Sequence, residues 1–236
     1  MSKTKIVIIN LIDSVKRRET ILDNFKDITI PISVASAIDG RQMEIIDVPN
    51  IPRVKVAKYL NHHFLVDYTR YDKVAYPMNT GVIAASLSHM LVMNDLVNDK
   101  EYDNYIIFED DARLLVSPEK LNEYCNNFPP DFDIIHMNNQ SEWHPIIKAE
   151  KINDYYNNIV RRCFNCAGTY VVSKKAALKM LQWTRFSITQ PPDDLISTLS
   201  TYYPICNIAI PNEWLFTRDD DIPSDVLKVD TNVKIE

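Results

Sequence analysis

The feature that most constrains this chain is the run Ile6-Val7-Ile8-Ile9, four β-branched residues ended by the polar Asn10. β-Branched side chains lose χ1 freedom in a helix and pack well on a pleated surface. A continuous apolar run of this length suits a strand covered on both faces, as in a parallel sheet. The run therefore predicts a strand over Lys5 to Asn10. Ser14 to Lys26 follows as a helix, with Ser14 as a possible N-cap and Ile21, Leu22 and Phe25 along one face. Ile30 to Ala37 is a second strand, ending at Ile38-Asp39-Gly40. A β-α-β order implies a parallel pair.

The same alternation continues. Residues 41 to 80, with Pro49, Pro52, Pro77, the His62-His63 pair and many aromatics, predict a loop or small helical excursion over the site. A helix is expected from Ala84 to about Val97, with Leu87, Leu91 and Leu96 on its apolar face. Strands follow at Tyr105 to Phe108 and Asp133 to Met137, with a helix at Ser117 to Asn126 between them. Cys166 to Val172 is extended, Ser173 to Trp183 is a helix capped by Ser173, and Cys206 to Ile210 is a late strand. The pattern has no internal repeat and no low-complexity linker, so one doubly wound α/β domain fits best. The tail after Trp214 is polar and charged, wrapping or loose.

Of the 236 residues, 46% are hydrophobic and 25% charged, enough for a sizeable core. The net charge of −6 comes without a basic stripe, which argues against nucleic acid as partner. An acidic protein can still hold a diphosphate through a metal ion. No signal peptide, retention or lipidation signal is read, and no stretch approaches the roughly 18 apolar residues of a membrane span. The expectation is a soluble, cytoplasmic protein. The four cysteines include Cys163-Phe164-Asn165-Cys166, but no second pair or His pair completes a zinc site, so free thiols are expected. Only three glycines occur, Gly40, Gly81 and Gly168. Such scarcity marks them as backbone-critical positions and rules out a Gly-rich phosphate loop.

Glu109-Asp110-Asp111 stands where the strand at 105–108 stops. In open α/β sheets, ligands bind outside the carboxyl ends of the strands. Three adjacent carboxylates repel one another unless a cation or donor groups offset the charge. Mg²⁺ and Mn²⁺ prefer such oxygens together with phosphates. On an extended chain Glu109 and Asp111 would share a side as metal ligands while Asp110 faces away. A solvated acidic loop or a helix N-cap is the plainer alternative. Asp219-Asp220-Asp221 follows no strand and reads as a solvated tail.

Seven segments then fall in register with one family. Ile9-Asn10-Leu11, Ser14-Val15 and Arg17-Arg18 resemble the opening of glycosyltransferase family 25, which includes lipooligosaccharide sugar transferases and collagen galactosyltransferases. Ala37-Ile38-Asp39-Gly40 resembles its A-x-D-G motif, and Gly81 with Leu87-Ser88-His89 its GEIGCxLSH frame. Ile107 to Asp111 is similar to xLEDD, Asp131 to Ile135 to DWDII, Gly168 to Ala176 to G-x-x-Y-x-x-S-x-x-A, and Pro191-Pro192-Asp193 to P-x-D. The resemblance covers roughly residues 6 to 200. It departs at Val82, Ala84 and Ala85, where the family's acid, second glycine and cysteine are absent.

The resemblance implies a GT-A type fold, with a Rossmann-like, mostly parallel sheet flanked by helices in a single domain over 1–236. Residues 41–80 would be a divergent excursion and 215–236 the loose tail. It implies transfer of a sugar, galactose or glucose first, from a UDP-sugar to a hydroxyl on a glycan or protein, with inversion and with Mn²⁺ or Mg²⁺. Carried over residue by residue, Asn10 and Leu11 border the nucleotide, Arg17 or Arg18 reaches its phosphates or base, and Asp39 holds its ribose or base. Glu109 and Asp111 form the DxD-like metal pair, Asp110 contacts the sugar or ribose, and His89 lies near the donor. Asp193 or Asp194, after a double proline that holds a turn opening a helix, is the expected general base.

Each residue has a plainer reading beside this one. Asn10 can cap a strand end, and Asp39-Gly40 can be a turn. His89 can be a core histidine, and Asp193-Asp194 an ordinary acidic first helical turn. Arg17 and Arg18 lie about 100° apart on one helix, so one of them is expected in solvent. His62-His63 reads as surface. Rival functions are a nucleotidyltransferase, which would carry a Gly-rich loop after the first strand, and a non-catalytic nucleotide- or glycan-binding protein on the same scaffold. The donor sugar, the acceptor and the oligomeric state are not encoded legibly.

Overall fold

The structure, a computed structural model, describes residues 3–69, 78–138, 148–160 and 167–218. In chain order the elements are β1 (Thr4–Asn10), α1 (Val15–Asn24), β2 (Ile32–Ser36), β3 (Met43–Asp47), β4 (Val54–Tyr59) and β5 (His62–Asp67). Then come α2 (Thr80–Asn98), β6 (Asn104–Glu109), β7 (Ala112–Leu114), α3 (Pro118–Asn126), β8 (Ile134–His136), β9 (Lys148–Lys151) and β10 (Tyr156–Val160). The chain continues with β11 (Thr169–Ser173), α4 (Lys174–Thr184), α5 (Pro192–Ser197), β12 (Ile208–Pro211) and β13 (Phe216–Arg218).

An eight-stranded sheet in the order β2-β1-β6-β11-β8-β12-β10-β9 is the centre of the molecule. β1 pairs parallel with β2 and β6, and β8 with β12. β11 and β10 run against their neighbours, so the other six strands share one direction. The expected α/β fold, a mostly parallel sheet flanked by helices, is present.

Strand alternation sorts the core into two layers. Val7, Ile9, Tyr105, Ile107 and Val172 face α2, α4 and α5. Ile6, Ile8, Ile106, Phe108 and Val171 face α1 and α3. Both faces of β1 are therefore covered, as its unbroken apolar run requires. Ile21 of α1 and its C-cap Phe25 are buried, while Leu22 is exposed. The expected cap of α4 is present, Ser173 accepting from Ala176 N, and Ser117 likewise caps α3 by accepting from Lys120 N. Ser14 makes no such side-chain bond.

Residues 41 to 80 correct the expected loop or helical excursion. β3, β4 and β5 form a three-stranded antiparallel sheet. Met43, Ala57 and Val66 pack it against Ile83, Ala84 and Leu87 of α2. Its turns use positive φ at Asn50, Arg53 and Leu60, conformations that sequence periodicity does not announce. His62 and His63 are exposed on β5.

α2 is longer than expected, because Asn79 caps it by accepting from Val82 N at 2.9 Å. With a mean hydropathy of 1.3 over its 18-residue window it is long and apolar enough to cross a membrane, which corrects the expectation that no stretch is. Within this fold it is a core helix, burying Val92, Met93 and Leu96 against the sheet and α4. Of the tail, only its first residues are described, and there β13 pairs antiparallel with β7. Asp219-Asp220-Asp221 and the Cys163–Cys166 pair lie outside the described residues.

Candidate functional site

A cavity of about 300 Å³ opens at the carboxyl ends of β1, β2 and β6. Its walls are the chain leaving β1 (Leu11, Asp13, Ser14, with Arg17 of α1) and the chain leaving β2 (Ala37 to Arg41). The start of α2 (Gly81, Ala84, Ala85, Ser88, His89) and the acidic run Glu109-Asp110-Asp111 complete them. This is the position where open α/β sheets bind ligands.

Two close contacts fix the walls. Ile38 N donates to Ser88 Oγ at 2.9 Å, tying the exit of β2 to α2. Gly40 sits against the first turn of α2, where a Cβ would stand 2.8 Å from the Thr80 carbonyl oxygen and 3.0 Å from Gly81 Cα. Gly40 is therefore demanded by close approach of backbone to backbone. Gly168 accepts from Glu109 N at 2.9 Å, bracing the end of β6.

Each carboxylate of the acidic run has a different partner. β6 ends at Glu109, and Asp110-Asp111 form a turn. Strict strand alternation therefore fails there, and all three acids reach the one cavity. Asp110 accepts from Asn10 Nδ2 at 2.6 Å and from Arg17 Nη1 at 3.0 Å. Burial raises its pKa, against the lowering effect of Asn10 and Arg17. Glu109 Oε1 lies 3.3 Å from His89 Nε2, and His89 Nδ1 lies 2.9 Å from the Tyr170 hydroxyl. Asp111 Oδ2 lies 3.2 Å from Arg218 Nε. Burial first, and the charge of Glu109 second, push Asp111 up to about 7.

Arg17 and Arg18 are both half-buried, correcting the expectation that one is in solvent. Arg18 Nη1 donates to Asn10 Oδ1 at 3.1 Å and to the Ile12 carbonyl. Asn10 thus links Arg18 to Asp110, beyond any role in capping a strand. Asp39 faces the cavity, but Arg41 grips it with a fork of 2.8 Å contacts. That guanidinium, with the Arg41 backbone N–H, holds Asp39 below the usual carboxylate range.

Asp193 and Asp194 are half-buried in the first turn of α5, and neither is among the cavity's lining residues. Nor do they line the small crevice that His89 forms with Gln190, Pro192 and Leu195. Four participants were not singled out by the sequence: Asp13, Arg41, Ser88 as a bridge, and Arg218. Ser88 and Tyr170 sit inside segments already noted. Arg41 and Arg218 carry no local signal, since their importance comes from what the fold sets beside them.

Among the described residues, no group of three or more His, Cys, Asp or Glu side chains stands ready to enclose a metal ion. That does not conflict with a Mg²⁺- or Mn²⁺-type site. Such ions are held by one or two carboxylates plus substrate phosphates and water, rather than by an all-protein cage. Glu109 and Asp111 supply such a hard-oxygen pair, and their mutual repulsion is what a cation would relieve.

A model described as "Glycosyltransferase family 25 (LPS biosynthesis protein)" matches residues 3–196. No curated protein matches the sequence. Among solved structures, the chain is similar to a glycosyltransferase involved in the glycosylation of the major capsid of PBCV-1. That likeness has 10% identity and a TM-score of 0.46, covering 92% of this chain and 94% of that one. It is also similar to A197 from STIV, with 9% identity and a TM-score of 0.43, covering 88% of this chain and 81% of that one.

Proposed function

The chain belongs to glycosyltransferase family 25, and from that premise we propose that it moves a hexose from a UDP-sugar to a hydroxyl acceptor with the help of a divalent cation. The observation that supports this most is the meeting of Glu109, Asp110 and Asp111 in one cavity at the strand ends. The donor's diphosphate lies against the acidic run, and its nucleoside against Leu11, Asp39 and Arg17. GT-A is the fold variant proposed for this arrangement.

Mn²⁺ or Mg²⁺ would be held by Asp111 with Glu109, and when bound it supplies positive charge for the departing diphosphate. The chain's own residues do the rest. Asn10 and Arg17 fix Asp110, which is then oriented toward the ribose or sugar. Tyr170 fixes the ring of His89, and His89 in turn fixes Glu109. Asp193 or Asp194 takes the proton of the acceptor hydroxyl. Attack from the face opposite the leaving group inverts the anomeric centre. Ala84 and Ala85 leave a small, apolar wall on the α2 side, where donor and acceptor choice is decided.

The test is hydrolysis and transfer across a panel of UDP-sugars with and without Mn²⁺. Turnover of UDP-galactose or UDP-glucose that needs the metal is expected. A purified chain that neither binds nor turns over any UDP-sugar with metal present refutes the reading.

A further inference from the structure

We propose that Arg218 is a built-in counter-cation of the site: it neutralises Asp111 while no divalent ion is bound, and leaves Asp111 when one arrives. The inference rests on the metal reading above and adds a residue that governs ion uptake.

The carboxylates of the acidic run are held unequally. Asp110 has two donors, and its cation, Arg17, has a side chain only 17% exposed. Among the described residues, the one close partner of Asp111 is Arg218, at 3.2 Å with a side chain 35% exposed. Asp111 is thus paired with a single guanidinium, and that guanidinium belongs to a side chain more exposed than Arg17. A guanidinium and a divalent ion on the same carboxylate oxygen repel each other strongly in a half-buried site. They are alternatives rather than companions.

The fold places Arg218 there deliberately enough to matter. Phe216 is fully buried between Phe25 and Phe108, with ring centroids 6.3 and 4.8 Å away. Two residues on, Arg218 leaves the same face of β13. Its register partner on β7 is Ala112, the neighbour of Asp111. The backbone of Arg218 is therefore anchored, while its side chain is 35% exposed and its buried Nε makes no hydrogen bond among the described residues.

Calorimetric titration with Mn²⁺ and no nucleotide tests this in the wild type, Arg218→Gln and Arg218→Lys. Arg218→Gln should bind with a Kd roughly three- to tenfold lower, the scale of one released ion pair. Arg218→Lys, which keeps the charge, should stay near wild type. A Gln variant that binds equally or more weakly, or a Lys variant that tightens as much, overturns the proposal. Should Arg218→Gln not fold, the wild type decides through the ¹⁵N-resolved Arg218 Nε–H signal, assigned by its absence in Arg218→Lys. It should shift as Mg²⁺ saturates the site, and an unmoved signal overturns the proposal. A wild type that takes up no divalent ion, with UDP present or absent, removes the metal reading with it. A wild type that binds while Arg218→Gln is unchanged removes this inference alone.

Discussion

Gly40→Ala offers a sharp test of how the cavity is built. The added Cβ would meet the Thr80 carbonyl oxygen at 2.8 Å, its carbon at 2.9 Å and Gly81 Cα at 3.0 Å. Ordinary contacts start near 3.5 Å. The exit of β2 and the start of α2 must therefore separate by roughly 0.5–0.7 Å. All three atoms are backbone, so no side-chain rotation relieves the overlap. The separation also strains the Ile38 N–Ser88 Oγ bond, now 2.9 Å. Overpacking of this kind costs about 1–3 kcal/mol. The reduced freedom of the unfolded chain returns about 0.4–1 kcal/mol. The midpoints of these two ranges leave a net loss of about 1.3 kcal/mol, a fall in Tm of roughly 3–5 °C for a chain of this size. Calorimetric melting of both proteins measures it, with nucleotide binding as a second readout, since Gly40 and Gly81 both line the cavity. A variant that melts with the wild type and binds UDP equally would show that the two segments do not approach as described.

Three further outcomes follow from the site. Tyr170→Phe removes the partner of His89 Nδ1 in a fully buried position. It should lower Tm by roughly 2–8 °C, for a loss of about 1–2 kcal/mol, and an unchanged Tm by calorimetry counts against the network. Asp39 is held below its ordinary value by Arg41, so its ionised form stabilises the fold above about pH 4 and that support is lost as pH falls through the depressed value. The Tm gap between wild type and Asp39→Asn should therefore be widest near neutrality and close in acid; melts across pH that show a constant gap refute it. One of Asp193→Asn and Asp194→Asn should lower kcat by about a hundredfold or more with the fold intact, and steady-state kinetics showing both at wild-type rate remove these residues as the base.

Much of the fold is legible because local pattern and tertiary environment agree. The apolar run of β1 is covered on both faces, and Ser117 and Ser173 cap the helices they precede. Legibility fails where tertiary partners decide. The β3–β5 sheet is short, partly exposed and turned at positive φ by Asn50, Arg53 and Leu60. Its inward residues become apparent only with α2 beside them. β13 is short and ends on a charged residue, and its pairing is set by β7, far away in sequence. At the site, the acidic run is visible because it ends an apolar strand. Its partners divide: Asn10 and Arg17 stand in a readable segment, whereas Arg218 stands in a tail that reads as loose. The expected alternation of Glu109, Asp110 and Asp111 fails for a local reason, since the strand ends one residue into the run and a turn carries the other two.

The central claim is that the acidic run binds a nucleotide diphosphate through a divalent ion held at Asp111. The most direct measurement is calorimetric titration of UDP into wild type and Asp111→Ala, with and without Mn²⁺. The account predicts that Mn²⁺ tightens UDP binding to the wild type by about tenfold or more, and that Asp111→Ala loses this gain while remaining folded. An Asp111→Ala variant that keeps the full Mn²⁺-dependent gain would contradict it.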